Sequence, residues 1–481
     1  MANLVADALA DGLAMLASVR GSLRGEAPWF IGAAGAAQAE PVEAPRDVAS
    51  GAIAAGRMLL ESGELTSAEL VDQSLAAIAA RNDELHAFVE IDEVEARAQA
   101  AKLDGERAAG RVRGPLHGVP VSVKDLYAVA GGTTRAGSLA FERRDGHDAA
   151  AVARLRDRGA VILGKTATHE FAMGVLGLQS RNPHDASRIA GGSSSGAAIA
   201  VSAGMGMGAL GTDTRGSARI PAALCGVVGL KPTFGRVSLD GVFELAATMD
   251  HFGSLAGSVT DAALLLDELA PGCNALSGAA RSAAGMRIGV ARGAWAGVER
   301  DVEQPVDEAL AVLDAAGAEL VELDRPDTAD FEAANLIGLV ISRCEAASFH
   351  RGLRLDTALY SAESRAQLET AAGVEAVDYL DAQRFRRRLA DDMARVFDGV
   401  DAVVTPTVPM VAPRRDAVAH VSLALTRAVA LWSFVGFPAM SVPVAPAASG
   451  LPVGLQVAAA PHAEATMVAV GRAIERGVNA R

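Results

Sequence analysis

The chain has 481 residues, half of them apolar, with only 4% aromatics and a formal charge of −14. That length allows a large core, and the acidic balance excludes the basic stripes that non-specific nucleic-acid binding uses to displace counterions. Three cysteines, Cys225, Cys273 and Cys344, fit neither a disulfide framework nor a zinc site, so a cytoplasmic protein without a metal is expected.

Residues 1–24 read as an amphipathic helix with Leu4, Ala8, Leu13, Leu16 and Val19 on its apolar side. Asp7 and Asp11 interrupt it and no basic segment precedes it, which argues against a signal peptide. Residues 25–49 are rich in Ala, Gly and Pro and read as a linker. The expected organisation is therefore an N-terminal helix and linker over 1–49 and one large domain over 50–481. The appendage admits three roles: a dimerisation helix that would make the chain a homodimer, a tethered partner-like segment, or a loose end. The loose end is the default. No run of about 20 apolar residues exists, so no spanning helix and no membrane partner are expected.

Thr66 and Glu69 predict a capping box at a helix start, continued by Val71, Leu75 and Ile78. Residues 119–124, V-P-V-S-V-K, alternate as a half-buried strand does, leaving Lys124 at its end on the face opposite the valines. Residues 149–158 read as a helix that feeds a strand at 160–163. Further strands are predicted at 287–291, 402–405, 440–444 and 454–458, with helical patterns between them. This alternation predicts an α/β fold, a sheet covered by helices on both faces. Arg384, Arg386, Arg387 and Arg388, beside Phe385 and Leu389, read as a solvated helix face. Residues 191–216 are rich in Gly, Ser and Ala, a composition that brings backbone close to backbone and exposes amide N–H groups.

Two short patterns are rejected. Gly159 to Thr166 matches a phosphate loop, but its central A-V-I-L reads as the strand itself. Gly192 to Gly196 matches G-x-S-x-G around Ser194, but no strand precedes it, and His251, His350, His420 and His462 sit in no pattern that marks a triad base.

Three segments carry chemistry: G-V-P-V-S-V-K-D (118–125), G-G-S-S-S-G-A-A (191–198) and G-T-D-T-R-G-S-A-R-I-P-A (211–222). With R-N-P-H-D, C-G-V-V-G-L-K-P-T-F-G-R-V-S, D-H-F-G-S-L-A and G-L-P-V-G-L-Q-V, they make residues 50–478 resemble the amidase-signature family. The resemblance implies an α/β amidase-signature fold, a large mixed twisted sheet sandwiched between layers of helices. It implies a nucleophile at Ser217, a bridging serine at Ser193 after a cis peptide bond, a catalytic lysine at Lys124, and no cofactor. The implied substrate is a small amide or carbamate.

The residue types suit that chemistry. A serine hydroxyl needs a base, and a lysine is one only when neutral, which burial favours. Ser193 would relay the proton. Main-chain N–H groups of Thr214, Arg215, Gly216 and Ser217 are expected to form the oxyanion hole, with Asp213 and Arg219 bracing the loop. Tyr127, Met173, Leu176 and Gln179 are expected to line the substrate pocket. Arg215 stands where the family usually has glycine. Its guanidinium either reaches into the pocket to bind a polar or anionic substrate group, or turns away to an acidic residue. The details of 180s–190s and of D-A-Q-R-F-R-R (381–387) resemble most the carboxybiuret-hydrolase branch, near aryl acylamidases and urethanases. Two other readings stay open: the ammonia-releasing subunit of an amidotransferase, and a non-catalytic binding protein on the same scaffold.

Overall fold

A computed structural model describes residues 2–23, 26–28, 51–418 and 420–480, the side chains of 2–4 excepted. The expected linker at 25–49 falls outside the described residues, apart from 26–28. Among the described residues, eleven strands make one mixed sheet. They are β1 (Phe88–Ile91), β2 (Pro120–Lys124), β3 (Val161–Thr166), β4 (Gly208–Thr212), β5 (Val228–Lys231), β6 (Phe252–Ala256), β7 (Arg287–Val290), β8 (Glu319–Glu322), β9 (Ala402–Pro406), β10 (Ala439–Pro443) and β11 (Gly454–Ala459). Their order across the sheet is β1-β3-β2-β4-β6-β5-β10-β11-β9-β7-β8. β2 runs parallel to β3 and β4, and β7 to β8 and β9, while the other pairs are antiparallel.

Successive residues of a strand point to opposite faces, and here each face has its own core. Val121, Val123, Ile162, Leu210, Val404, Met440 and Val457 join one cluster that runs under the whole sheet. Val161, Leu163 and Ala209 join a second cluster on the other face. Val403, Ala439 and Ala458 join a third beside it. β2 is therefore buried throughout rather than half-buried as its alternation predicted, because helices cover both faces. Lys124 points away from the core under Val121 and Val123.

The helices that shape the site are α1 (Ala2–Val19), α2 (Ser67–Leu85), α3 (Ser195–Ser202), α4 (Arg219–Cys225), α5 (Thr328–Leu353), α6 (Ala362–Thr370), α7 (Ala376–Val396) and α8 (Val421–Phe434). α2 starts at the predicted capping box: Thr66 Oγ1 accepts from Glu69 N–H at 3.2 Å and Thr66 N–H donates to Glu69 Oε2 at 2.8 Å. α1 is no loose end. Ala8, Leu9 and Leu16 are buried against a core shared with α5 and α7, and Arg20 pairs with Asp378 and, at 2.6 Å, with Asp381. Its apolar side is used within the chain. No helix among the described residues is long and apolar enough to cross a membrane.

Arg386 corrects the reading of the basic cluster as solvated. It is fully buried and donates through Nε to Phe434 O, whereas Arg384 pairs with Asp381 at 2.8 Å. The rejected phosphate loop is a strand, since Gly164, Lys165 and Thr166 belong to β3. Lys165 Nζ sits 3.0 Å from Asp125 Oδ1 and donates to Thr133 O at 3.0 Å, a buried structural ion pair.

Candidate active site

The ends of two neighbouring strands and two loops meet on the face opposite the common core. β2 ends in Lys124 and β4 in Thr212. Ser193 and Ser194 lead into α3, and residues 213–218 join β4 to α4. Gly211 permits the approach, because a Cβ there would lie 2.8 Å from Ser194 Oγ. The Gly192–Ser193 peptide bond is cis.

Lys124 is fully buried, and its Nζ lies 2.7 Å from Ser193 Oγ, 3.0 Å from Ser194 Oγ and 2.8 Å from Thr212 Oγ1. No carboxylate pairs with it among the described residues. Burial brings its pKa down to about 7, against the pull of Asp250 and Asp213. Ser194 Oγ already donates to Thr212 O at 3.1 Å, so it accepts from Nζ. A neutral amine has two N–H donors and one lone pair. With Ser194 and Thr212 as acceptors, the lone pair is left for the Ser193 hydroxyl.

Ser217 opens on a cleft, and its hydroxyl has no hydrogen-bond partner among the described residues. Ser194 N–H donates to Ser217 O at 3.0 Å, which joins the Ser193–Ser194 turn to the 213–218 loop. Gly216 N–H corrects the expected set of oxyanion donors. It is engaged by Asp213 Oδ1 at 2.7 Å, which leaves the N–H groups of Thr214, Arg215 and Ser217 without an acceptor among the described residues. Gly216 has φ +110°, and a Cβ there would meet Val429 Cγ2 at 2.3 Å, so only glycine fits. Arg215, by contrast, is not in the left-handed region and carries no such strain.

Asp213 and Arg219 are both fully buried and meet in a two-point pair, Nε to Oδ2 at 3.0 Å and Nη2 to Oδ1 at 2.9 Å. Asp213 also accepts from Ala218 N–H at 3.2 Å and Ser433 Oγ at 2.9 Å. Burial pushes its carboxyl up, but the Arg219 charge and hydrogen bonds outweigh that and hold it well below the usual carboxylate range. This is a core brace rather than a surface ion pair. A second brace escaped the sequence reading, although D-H-F-G-S contains it. Asp250 accepts from Thr214 Oγ1 at 2.6 Å and from the N–H groups of Leu245 and Ala246 at 2.8 and 3.0 Å, and burial raises its pKa to about 6.

The cleft encloses about 870 Å³, open solvent at its mouth included. Met173 lines it, beside Gly174 and Val175. Tyr127 does not: it is fully buried, and its hydroxyl donates to Gly211 O at 2.7 Å beneath the sheet end. Leu176 turns instead into an apolar cluster with Ile220, Leu224 and Val429. Gln179 is tied to Ser195 Oγ at 3.0 Å, away from the cleft. Arg215 follows neither expected course in full. Its guanidinium stays in the cleft wall, but Nη2 donates to Asn335, to the main-chain O at 2.7 Å and the side-chain Oδ1 at 2.5 Å, and not to an acid. The far wall comes from segments with no motif: Leu339 and Arg343 of α5, Glu363 and Gln367 of α6, and Val5 and Ala8 of α1.

None of the four downstream histidines reaches Ser194. His251 Nδ1 lies 2.6 Å from Met249 O and His350 Nδ1 2.9 Å from Tyr360 Oη, while Ser194 is held by Lys124 and Thr212.

The family described as Amidase matches residues 69–468. The chain is 37% identical over 441 residues to an amidase of Pseudomonas putida, covering 87% of this chain and 94% of that one. It is 35% identical over 476 residues to a glutamyl-tRNA(Gln) amidotransferase subunit of Koribacter versatilis, covering 89% and 98%. Among solved structures, the native peptide amidase of Stenotrophomonas maltophilia matches with a TM-score of 0.79 at 31% identity, covering 91% of this chain and 99% of that one.

Proposed function

The chain belongs to the amidase family, and from that premise we propose that it hydrolyses a C–N acyl bond through an acyl-enzyme on Ser217, with Ser193 and Lys124 carrying the proton. The observation that supports this most is the buried Lys124 amine facing three hydroxyls and, among the described residues, no carboxylate. A base poised near neutral pH can accept a proton and return it at small cost. As Ser217 Oγ attacks the carbonyl carbon, its proton passes to Ser193 Oγ and the Ser193 proton to Lys124 Nζ. Negative charge grows on the carbonyl oxygen, where the N–H groups of Thr214, Arg215 and Ser217 can receive it. The relay then runs backward to protonate the leaving nitrogen, the C–N bond breaks, and water repeats the sequence to release the acid.

Carbamates and ureas offer the same carbonyl beside nitrogen. The residues behind the carboxybiuret-hydrolase and urethanase resemblance do not decide among them. Gln383 donates to Tyr379 Oη at 3.0 Å on α7, outside the cleft lining. A second reading rests on the amidotransferase relatives: glutamine hydrolysis that delivers ammonia to a partner. One panel separates the two. The purified chain, with no other protein present, is incubated with simple amides, carbamates, ureas, aryl esters and glutamine. Turnover of simple amides or carbamates well above that of glutamine is expected. Turnover of glutamine alone would move the assignment to the second reading.

A further inference from the structure

Arg343 has no role in the chemistry described so far, yet it lines the same cleft as Ser217. It is 6% exposed, and among the described residues its guanidinium has no hydrogen-bond or ion-pair partner, its Nε being buried without an acceptor. A buried cation left in this state is costly unless something supplies the opposite charge. Arg215 lines the cleft too, with Nη2 held by Asn335 and Nε buried without an acceptor. The two guanidiniums sense each other. Burial, and after it the Arg343 charge, lowers the pKa of Arg215 to about 9.

Among the described residues one acidic side chain, Glu363, stands in the lining; its charge acts on Arg343 without forming a direct ion pair, and its oxygens are engaged elsewhere. His169 Nε2 lies 3.6 Å from its Oε2, and Gln367 Nε2 donates to its Oε1 at 3.2 Å. Among the described lining residues, two arginines against one carboxylate leave one positive charge in excess. A monoanion would balance it, and a carboxylate matches the planar fork of a guanidinium in two-point contact.

We propose that Arg343, assisted by Arg215, is a carboxylate-binding site that selects monoanionic amides, with the scissile carbonyl placed at Ser217. This rests on the hydrolase reading, so its test includes a binding measurement that needs no turnover. In a Ser217→Ala background, calorimetry compares succinamate with butyramide, a neutral amide of the same backbone length. Succinamate is expected to bind about 30- to 100-fold more tightly. Arg343→Gln added to that background should erase most of the difference, and Arg343→Lys, which keeps the charge on a similar stem, should keep part of it and serves if the Gln variant does not fold. Equal binding of the two amides, or a succinamate preference untouched by both Arg343 variants, would overturn the site. Wild-type turnover is measured alongside, as kcat/KM for the same pair. If succinamate binds as expected but no amide or ester is turned over, the hydrolase reading fails and the carboxylate site stands.

Discussion

Lys124→Ala is expected to lower kcat by about 10²- to 10⁴-fold, the range over which a positioned general base typically acts. The sign of the pH dependence follows from the same side chain. With its pKa near 7, Lys124 gains a proton as pH falls through neutrality and loses the lone pair that receives the Ser193 proton. Wild-type kcat/KM should therefore rise from acid to alkaline with a midpoint near 7, and the residual activity of the variant should lack that limb. Lys124→Met, which fills similar volume, separates loss of the base from loss of packing under the Ser193–Ser194 turn. Steady-state profiles from pH 5 to 9, read beside thermal melts of all three proteins, check the expectation. A variant that keeps near wild-type kcat would remove Lys124 from the mechanism.

Arg219→Ala should produce the largest loss of stability, about 3–5 kcal/mol, because it leaves the Asp213 carboxylate charged and unpaired inside the core. The arginine also loses its contacts to Gln456 Oε1 at 2.6 Å and Ser433 Oγ at 2.7 Å. Since Asp213 is held below its usual range, the wild type keeps this contribution at and above the ordinary carboxylate pKa and loses it as pH falls through the depressed value. In the variant the acid-side advantage should vanish. Activity should fall along with stability, because the same carboxylate positions Gly216 N–H and Ala218 N–H in the loop that carries Ser217. Urea titrations at pH 7 and at about pH 2.5, below the ordinary carboxylate pKa, measure the stability loss and its pH dependence, and kcat/KM at pH 7 measures the loss of activity. A loss under about 1 kcal/mol would show that the pair is not the brace described.

Lys124, Ser193 and Ser217 each lie in a short segment whose residue types have few other uses, and the fold brings the end of one strand and two loops together there. β4, β5 and β6 were not legible. Their sequences, GALGT, VGLK and FGSLA, are buried on both faces and full of small residues, so they show no alternation. Part of the Gly-, Ser- and Ala-rich stretch 191–216 is the buried α3 and β4, and its small residues show no period that marks either. Tyr127, Leu176 and Gln179 were placed in the right neighbourhood, but side-chain direction depends on backbone turns that spacing does not report. Arg386 illustrates the limit of charge patterning: four clustered arginines look alike in sequence, and only the helix phase against Phe434 turns Arg386 inward. Arg343 has no motif at all. Its place in the cleft depends on where α5 crosses the 213–218 loop.

The most direct test of the mechanism is to trap the covalent intermediate. The folded chain is treated with a fluorophosphonate or a slowly turned-over aryl ester, and the modified peptide is identified by mass spectrometry. A single adduct on Ser217, formed much more slowly in Lys124→Ala, is the predicted result; an adduct on Ser193 or Ser194, or none on the folded wild type, would contradict the account.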